Sequence, residues 1–138
     1  MNLLLALIMT WLTANFDLPP AAEQPAVKFV SQQHLATVRY GAIASGSSTG
    51  LVAIYDDRTR TIFLTDGWTG STPAEVSVLV HELVHHLQNT GKLTYACPGA
   101  REELAYAAQE KWLGLFGKSL LSEFEMDRMT LMVRTNCL

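Results

Sequence analysis

Residues 72–91, TPAEVSVLVHELVHHLQNTG, carry complete start and stop signals for one long helix. Thr72 is a favoured N-cap residue, Pro73 takes the first helical position, and Glu75 stands three residues after the cap, as in a capping box. The glycine that closes the segment fits a helix stop. We therefore predict a helix over residues 73–90, and three of the chain's four histidines lie within it.

These histidines and an acid form the pattern H-E-x-x-H. His81 and His85 are four positions apart, so they share one helix face and can bind one zinc ion together. Glu82 follows the first histidine and can act as the general base toward a metal-bound water. His86 is offset by one position from the ligand face, and we expect it to be partly exposed and structural. The pattern predicts a catalytic site for one Zn²⁺ ion.

A catalytic zinc usually has three protein ligands, and the third must lie outside this motif. The metzincin pattern H-E-x-x-H-x-x-G-x-x-H is excluded, because Gln88 and Gly91 occupy its glycine and last histidine positions. A carboxylate of the next predicted helix, residues 100–117, is the alternative, and Glu102 and Glu103 are both candidates. Periodicity places Glu102 at the edge of that helix's apolar face and Glu103 on its polar side, which favours Glu102 and leaves Glu103 open.

A tyrosine on the same helix is a candidate for a second catalytic role. The oxyanion of a tetrahedral intermediate needs a hydrogen-bond donor near the metal. Tyr106 lies one turn after Glu102 and ranks first for this role, ahead of Tyr95 and Tyr55. The alternative for each tyrosine is core packing with a satisfied hydroxyl.

Apolar and β-branched runs predict strands ahead of the motif-bearing helix. Residues 51–55 and 61–64 flank the polar sequence DDRTR and predict a β-hairpin, and residues 27–30 predict another short strand. We expect residues 61–64 to form an edge strand, along which a peptide or protein substrate could pair by β-augmentation. The predicted fold class is α+β, with a small antiparallel sheet packed on the motif-bearing helix and two helices following it.

Capping signals predict one more helix ahead of the hairpin and define the second of the two helices that follow the motif-bearing helix. Ser31 can cap a helix that ends at the Gly- and Ser-rich residues 41–50, which predict a loop. Ser122 and Glu125 offer a second capping box, for a helix over residues 122–135.

The N-terminal residues 1–16 carry no charged side chain, and their apolar run is shorter than the ~20 residues of a bilayer span. The length of the run suits a secretory signal, although Lys and Arg are missing from its start. We predict a leader and linker over residues 1–22, one domain over residues 23–138, and a periplasmic or secreted protein with no stable membrane span after leader removal. The alternative is an apolar helix packed on the domain.

Cys97 and Cys137 are the two cysteines of the chain. In an exported protein an even pair predicts one disulfide, which would close a loop of roughly 40 residues and stabilise the fold by ~3–4 kcal/mol. In a reducing compartment the same residues would be two ordinary thiols. Their spacing does not match a C-x-x-C metal site, so we do not assign them to a metal.

The sequence HELVHHLQ, followed by REELAYAAQ on the next predicted helix, resembles the gluzincin metallopeptidases, in particular the small, minimal ones of bacteria and phages. The resemblance spans about residues 27–137 and includes YDDRTRTIFL, which looks like the zincin edge strand that lines the cleft. It implies a zincin-like α+β fold in which both motif histidines and a Glu bind zinc and Glu82 is the base. Larger gluzincins often carry E-x-x-x-D at the third ligand, whereas neither Glu102 nor Glu103 has an acid at that spacing.

Two functions from different classes follow. The first is zinc-dependent hydrolysis of peptide bonds, in which Glu82 takes a proton from the metal-activated water. The alternative is a non-catalytic, zinc-stabilised module with a zincin-like fold that binds a partner protein, and a fourth protein ligand would then close the metal site. A small helical domain without metal is the third possibility. The net charge of −3 and the lack of a basic run argue against nucleic acid as a partner.

Overall fold

The computed structural model describes residues 1–40 and 52–138. The predicted loop at residues 41–50 and the first residue of the predicted hairpin lie outside the described residues. The described chain has the predicted α+β class. Its elements, in chain order, are α1 (Asn2–Asn15), β1 (Ala26–Val30), α2 (Gln32–Tyr40), β2 (Ala53–Asp56), β3 (Thr61–Thr65), α3 (Pro73–Thr90), α4 (Pro98–Gly114), α5 (Leu120–Glu123) and α6 (Arg128–Thr135).

The strands of the described chain form one mixed sheet with β3 in its centre. β2 pairs with β3 antiparallel, with Ala53 opposite Leu64, which confirms the hairpin. β1 pairs with the other side of β3 in parallel, with Ala26 opposite Thr61. The predictions of an antiparallel sheet and of an edge strand over residues 61–64 are therefore wrong. β1 pairs with a strand far along the chain, and local periodicity carries no signal for such a pairing.

The helix α3 has the predicted bounds. Oγ1 of Thr72 accepts a hydrogen bond from the backbone N of Glu75 at 3.1 Å, and Pro73 begins the helix. The predicted capping box is only half formed, because the Glu75 carboxylate accepts instead from the backbone N of Thr69 at 2.9 Å and from Oγ of Ser71 at 3.1 Å. These bonds fix the preceding loop to the first turn of α3.

The N-terminal segment is part of the core. Leu5, Ile8 and Leu12 of α1 are at most 1% exposed and belong to the same apolar cluster as the buried residues of α3 and α4. Trp11 packs edge-on against Trp112 of α4, with ring centroids 5.3 Å apart. The structure thus has α1 as an apolar helix packed on the domain, which was the alternative to a leader. Export of the protein and cleavage of this segment stay predictions. Across residues 1–40 and 52–138, no helix has both the length and the apolarity to cross a membrane.

The predicted helix over residues 122–135 forms as two shorter helices, α5 and α6. Their N-caps are Ser119 and Asp127, whose side chains accept from the backbone N atoms three residues on. Glu125 lies between them with φ of 48°, in the left-handed region that a right-handed helix does not include. The predicted capping box of Ser122 and Glu125 is therefore wrong.

A disulfide joins Cys97 and Cys137, as predicted. Cys97 is the N-cap of α4, so the bond ties the end of the chain to the start of the helix that carries both candidate glutamates. The tail also lies directly on this helix, since a Cβ at Gly99 would come within 2.4 Å of the carbonyl O of Asn136. A disulfide of this kind is typical of extracellular or periplasmic proteins.

Candidate metal centre

The packing of α3 against α4 brings two histidines and one glutamate together. Nε2 of His81 lies 2.8 Å from Oε2 of Glu102, and Nε2 of His85 lies 3.1 Å from the same oxygen. The three potential ligand atoms are within 4.8 Å of one another. Glu103, the next residue of α4, is exposed and does not belong to this group. Of the two candidate glutamates, the structure therefore brings Glu102 to the histidines and leaves Glu103 in solvent.

The three side chains are largely shielded from water. Those of His81 and His85 are 12% and 7% exposed, and that of Glu102 is 28% exposed. Burial raises the pKa of the Glu102 carboxyl, but the hydrogen bonds from the two histidines outweigh burial and hold this pKa well below its ordinary value. Burial lowers the pKa of His85, whereas the hydrogen bond to Glu102 and the charges of Glu82 and Glu102 raise it, with a net rise. Glu102 is therefore held as a carboxylate.

This donor set fits a divalent cation. Imidazole nitrogen and carboxylate oxygen are common zinc ligands, and a tetrahedral zinc with bonds of ~2.0–2.1 Å holds its ligand atoms about 3.3 Å apart. The histidine-to-glutamate separations of 2.8 and 3.1 Å are slightly shorter, so a small opening would admit the ion. No fourth His, Cys, Asp or Glu of the described residues joins the group. Three protein ligands are the number found in catalytic zinc sites, where water takes the fourth position.

Two buried glutamines support the outer nitrogens of the histidines. Nδ1 of His81 lies 2.9 Å from Oε1 of Gln109, and Nδ1 of His85 lies 2.8 Å from Oε1 of Gln88. The sequence offered no acid for this role, and the structure supplies amides instead. The sequence patterns did not single out Gln109 for this role. Its position was a usable signal, because it follows Glu102 by seven residues, about two turns, and so shares its helix face.

Glu82 is 8% exposed and lies in α3 between the two histidines. Its negative charge contributes to the raised pKa of His85. In the part of the chain that the structure describes, no hydrogen bond joins its carboxylate to another residue. Within the described residues, neither carboxylate oxygen of Glu82 is fully buried without a hydrogen-bond partner. Water can therefore reach this carboxylate, as a general base requires.

Tyr106 lies at the edge of the same group. Its ring packs edge-on against that of His81, with centroids 4.6 Å apart and the planes at 76°. Its hydroxyl accepts a hydrogen bond from Nη1 of Arg134 in α6 at 3.3 Å. Tyr55 instead lies behind α3, with its hydroxyl 2.9 Å from Nδ1 of His86. Of the tyrosines considered, Tyr106 is the one that the structure places against a metal-binding candidate.

Comparison with known proteins gives a family but no activity. Residues 1–138 match the model of a family described as a domain of unknown function, DUF6647. The chain belongs to this family. No curated protein and no solved structure matches it. The function of this DUF6647 chain must therefore be argued from its site.

His86 is buried, and the expected partial exposure is wrong. The residue is 1% exposed, with Nδ1 facing the hydroxyl of Tyr55 and Nε2 lying 2.9 Å from the carbonyl O of Glu23. Burial lowers the pKa of His86. A neutral ring satisfies both contacts, because Nε2 donates to the carbonyl while Nδ1 accepts from the hydroxyl. His86 thus links α3 to β2 and to the segment before β1, which is a structural role.

Arg101 is a further residue that the sequence did not single out. Its Nη1 donates to Oδ2 of Asp57 at 2.8 Å, and its Nη2 donates to the carbonyl O of His85 at 3.3 Å. These bonds attach the start of α4 to the turn of the β2–β3 hairpin and to the backbone of a candidate ligand. Because Asp57 is 44 residues away in sequence, no local pattern indicates the pair.

Proposed function

We propose that the chain is a zinc-dependent metallopeptidase of the gluzincin type with a zincin-like fold. His81, His85 and Glu102 would hold one Zn²⁺ ion, and Glu82 would be the general base. The observation that carries this proposal is the approach of both histidine Nε2 atoms, at 2.8 and 3.1 Å, to one oxygen of Glu102. A bound zinc would polarise the scissile carbonyl and lower the pKa of its water to ~7.

The two carboxylates of the site have different environments, which supports two different roles. Glu102 receives hydrogen bonds from both histidines, and these hold its pKa well below the ordinary value, so it does not accept protons near neutral pH. Glu82 has no such partner among the described residues and keeps access to water. Glu82 would therefore take the proton from the attacking water and deliver a proton to the leaving amine.

Tyr106 is our candidate for the oxyanion donor. Its ring lies edge-on against that of His81, with centroids 4.6 Å apart, which puts Tyr106 beside the metal-binding group. The guanidinium of Arg134 donates to this hydroxyl and would favour its acting as a donor toward a developing negative charge.

The substrate would be a peptide or protein in extended form. It cannot pair with β3, which has a partner strand on each side. β2 is an edge strand of the described sheet, and its Tyr55 contacts α3 through His86. We therefore assign the substrate to the outer edge of β2 by β-augmentation. The disulfide supports our proposal that the enzyme acts outside the cytoplasm.

A non-catalytic, zinc-stabilised module that binds a partner protein is the rival function. A structural zinc is normally enclosed by four protein ligands. Three ligand side chains among the described residues, together with a water-accessible Glu82, favour hydrolysis over this rival.

The test uses zinc-loaded protein and a pooled synthetic peptide library, with products identified by mass spectrometry. The wild-type protein should cleave library members, whereas Glu82→Gln should keep its zinc and cleave at least ~10²-fold more slowly, since it lacks the base. Glu103→Gln is the matched control and should cleave normally, because Glu103 is exposed away from the site. Wild-type rates from Glu82→Gln would overturn the mechanism, and an inert zinc-loaded wild type would favour the binding module.

A further inference from the structure

We propose that Gln88 and Gln109 are positioning residues that select the tautomer of the two histidine ligands. Each amide would hold a hydrogen on Nδ1, so that both imidazoles present the lone pair of Nε2 to the metal. The proposal rests on the metal centre proposed above and extends it to side chains that do not touch the ion.

The orientation of the Gln109 amide follows from its neighbours. Nε2 of Gln109 lies 3.2 Å from Oγ of Ser77, and the Ser77 hydroxyl donates to the carbonyl O of Ala74 at 2.7 Å. Because the single hydroxyl proton is used in that bond, Oγ can only accept from the amide. Gln109 must therefore direct its NH₂ to Ser77 and its oxygen to His81.

The Gln88 amide is fixed in the same way by a backbone group. Its Nε2 donates to the carbonyl O of Arg101 at 3.1 Å, and a carbonyl oxygen can only accept. Its Oε1 must therefore face Nδ1 of His85, at 2.8 Å. Since Arg101 directly precedes Glu102, this amide also joins a candidate ligand on α3 to the backbone beside the candidate ligand on α4.

The tautomers follow from these orientations. An amide oxygen is an acceptor, so Nδ1 of His81 and Nδ1 of His85 must each carry a hydrogen. Nε2 of both rings faces Glu102, and this second nitrogen would release its hydrogen to bind a metal, while Nδ1 keeps its own. Gln88 is 1% exposed and Gln109 is 4% exposed, so bulk water does not replace either amide.

The choice of an amide over a carboxylate has a consequence for the metal. A carboxylate in this position raises the basicity of a histidine ligand. An amide fixes the ring without adding negative charge beside Glu82 and Glu102. A bound ion would then keep its ligands oriented without the added negative charge of carboxylate supports.

The experiment measures zinc affinity by competition with a chromophoric chelator. Gln109→Leu should bind zinc about 10–100-fold more weakly, the usual effect of losing such a support. Gln109→Glu should bind at least as tightly as wild type, because a carboxylate oxygen still accepts from Nδ1. Ser77→Ala should weaken binding by a smaller factor, since the amide can then turn its NH₂ toward His81. Gln33→Leu, on the exposed surface of α2, is the matched control and should leave affinity unchanged.

The pattern across variants separates positioning from a merely structural role. Both Gln109 variants lose the N–H that donates to Ser77, so a role limited to that bond predicts equal losses of zinc affinity, whereas positioning predicts rescue by Glu. Nitrogen-15 NMR of the zinc-loaded wild type should show a hydrogen on Nδ1 of both histidines, and a hydrogen on either Nε2 would overturn the proposal. If Gln109→Leu does not fold, Ser77→Ala and the NMR spectrum decide. If Gln109→Leu and Ser77→Ala both bind zinc as tightly as wild type, the positioning role is refuted but the metal centre is not. If the wild-type chain binds no zinc, the metal centre is refuted as well.

Discussion

Nε2 of His81 lies 2.8 Å from Oε2 of Glu102, a residue 21 positions further along the chain and on a different helix. The motif of α3 supplies two members of the group, and only the packing of α4 supplies the third. Anything that holds α4 in place therefore supports the metal centre.

The disulfide is one such restraint, and its removal should destabilise the fold. The double variant Cys97→Ser/Cys137→Ser should lose ~3–4 kcal/mol of unfolding free energy, because the bond closes a loop of 40 residues in the unfolded chain. Urea denaturation in non-reducing buffer measures the difference. Wild type treated with a reducing agent should match the double variant, and equal stability of oxidised wild type and double variant would contradict the closed loop.

The packing of α1 makes a second prediction. Leu12→Ala should cost about 2–5 kcal/mol, since it empties a fully buried site in the core. Leu3→Ala is the matched control on the same helix, and its 83% exposure limits the expected change to about 0.5 kcal/mol. Chemical denaturation of the full chain compares them. Equal, small losses from both substitutions would show that α1 does not pack as described.

A third prediction concerns pH and the loop before α3. The backbone N–H of Thr69, with the hydroxyls of Thr69 and Ser71, holds the pKa of the Glu75 carboxyl below its ordinary 4.5. A carboxyl group whose pKa is lower in the folded state stabilises the fold at pH values above its unfolded-state pKa. This stabilisation is lost as the pH falls from 4.5 through the folded-state pKa. Glu75→Gln should therefore be less stable than wild type at neutral pH, with a difference that closes in acid.

Denaturant titrations of wild type and Glu75→Gln, at neutral pH and well below pH 4.5, provide the test. A stability difference that stays constant over this range would show that the carboxylate charge contributes nothing to the loop.

Local signals placed α3 and its candidate ligands correctly. The cap at Thr72 and the proline after it mark the helix start within the sequence itself, and the spacing of His81 and His85 fixes their shared face. Helical periodicity also ranked Glu102 above Glu103, because the inward face of a helix is set by residues only a few positions apart.

The errors share a different cause. The central position of β3 depends on β1, which local pattern cannot pair with it. The split between α5 and α6 depends on the left-handed conformation of Glu125, a residue that sequence alone favours as helical. The support from Gln109 depends on which faces of α3 and α4 meet, so it became recognisable only once both helices were in place, whereas Gln88 lies one turn after His85 on α3 itself.

Zinc content measured by inductively coupled plasma mass spectrometry after exhaustive dialysis tests the metal centre most directly. Wild type should retain one zinc ion per chain, and Glu102→Ala should lose it. Glu103→Ala, the same change one residue further along α4, should retain one. Retention of zinc by Glu102→Ala, or a wild type without bound zinc, would contradict a centre built from His81, His85 and Glu102.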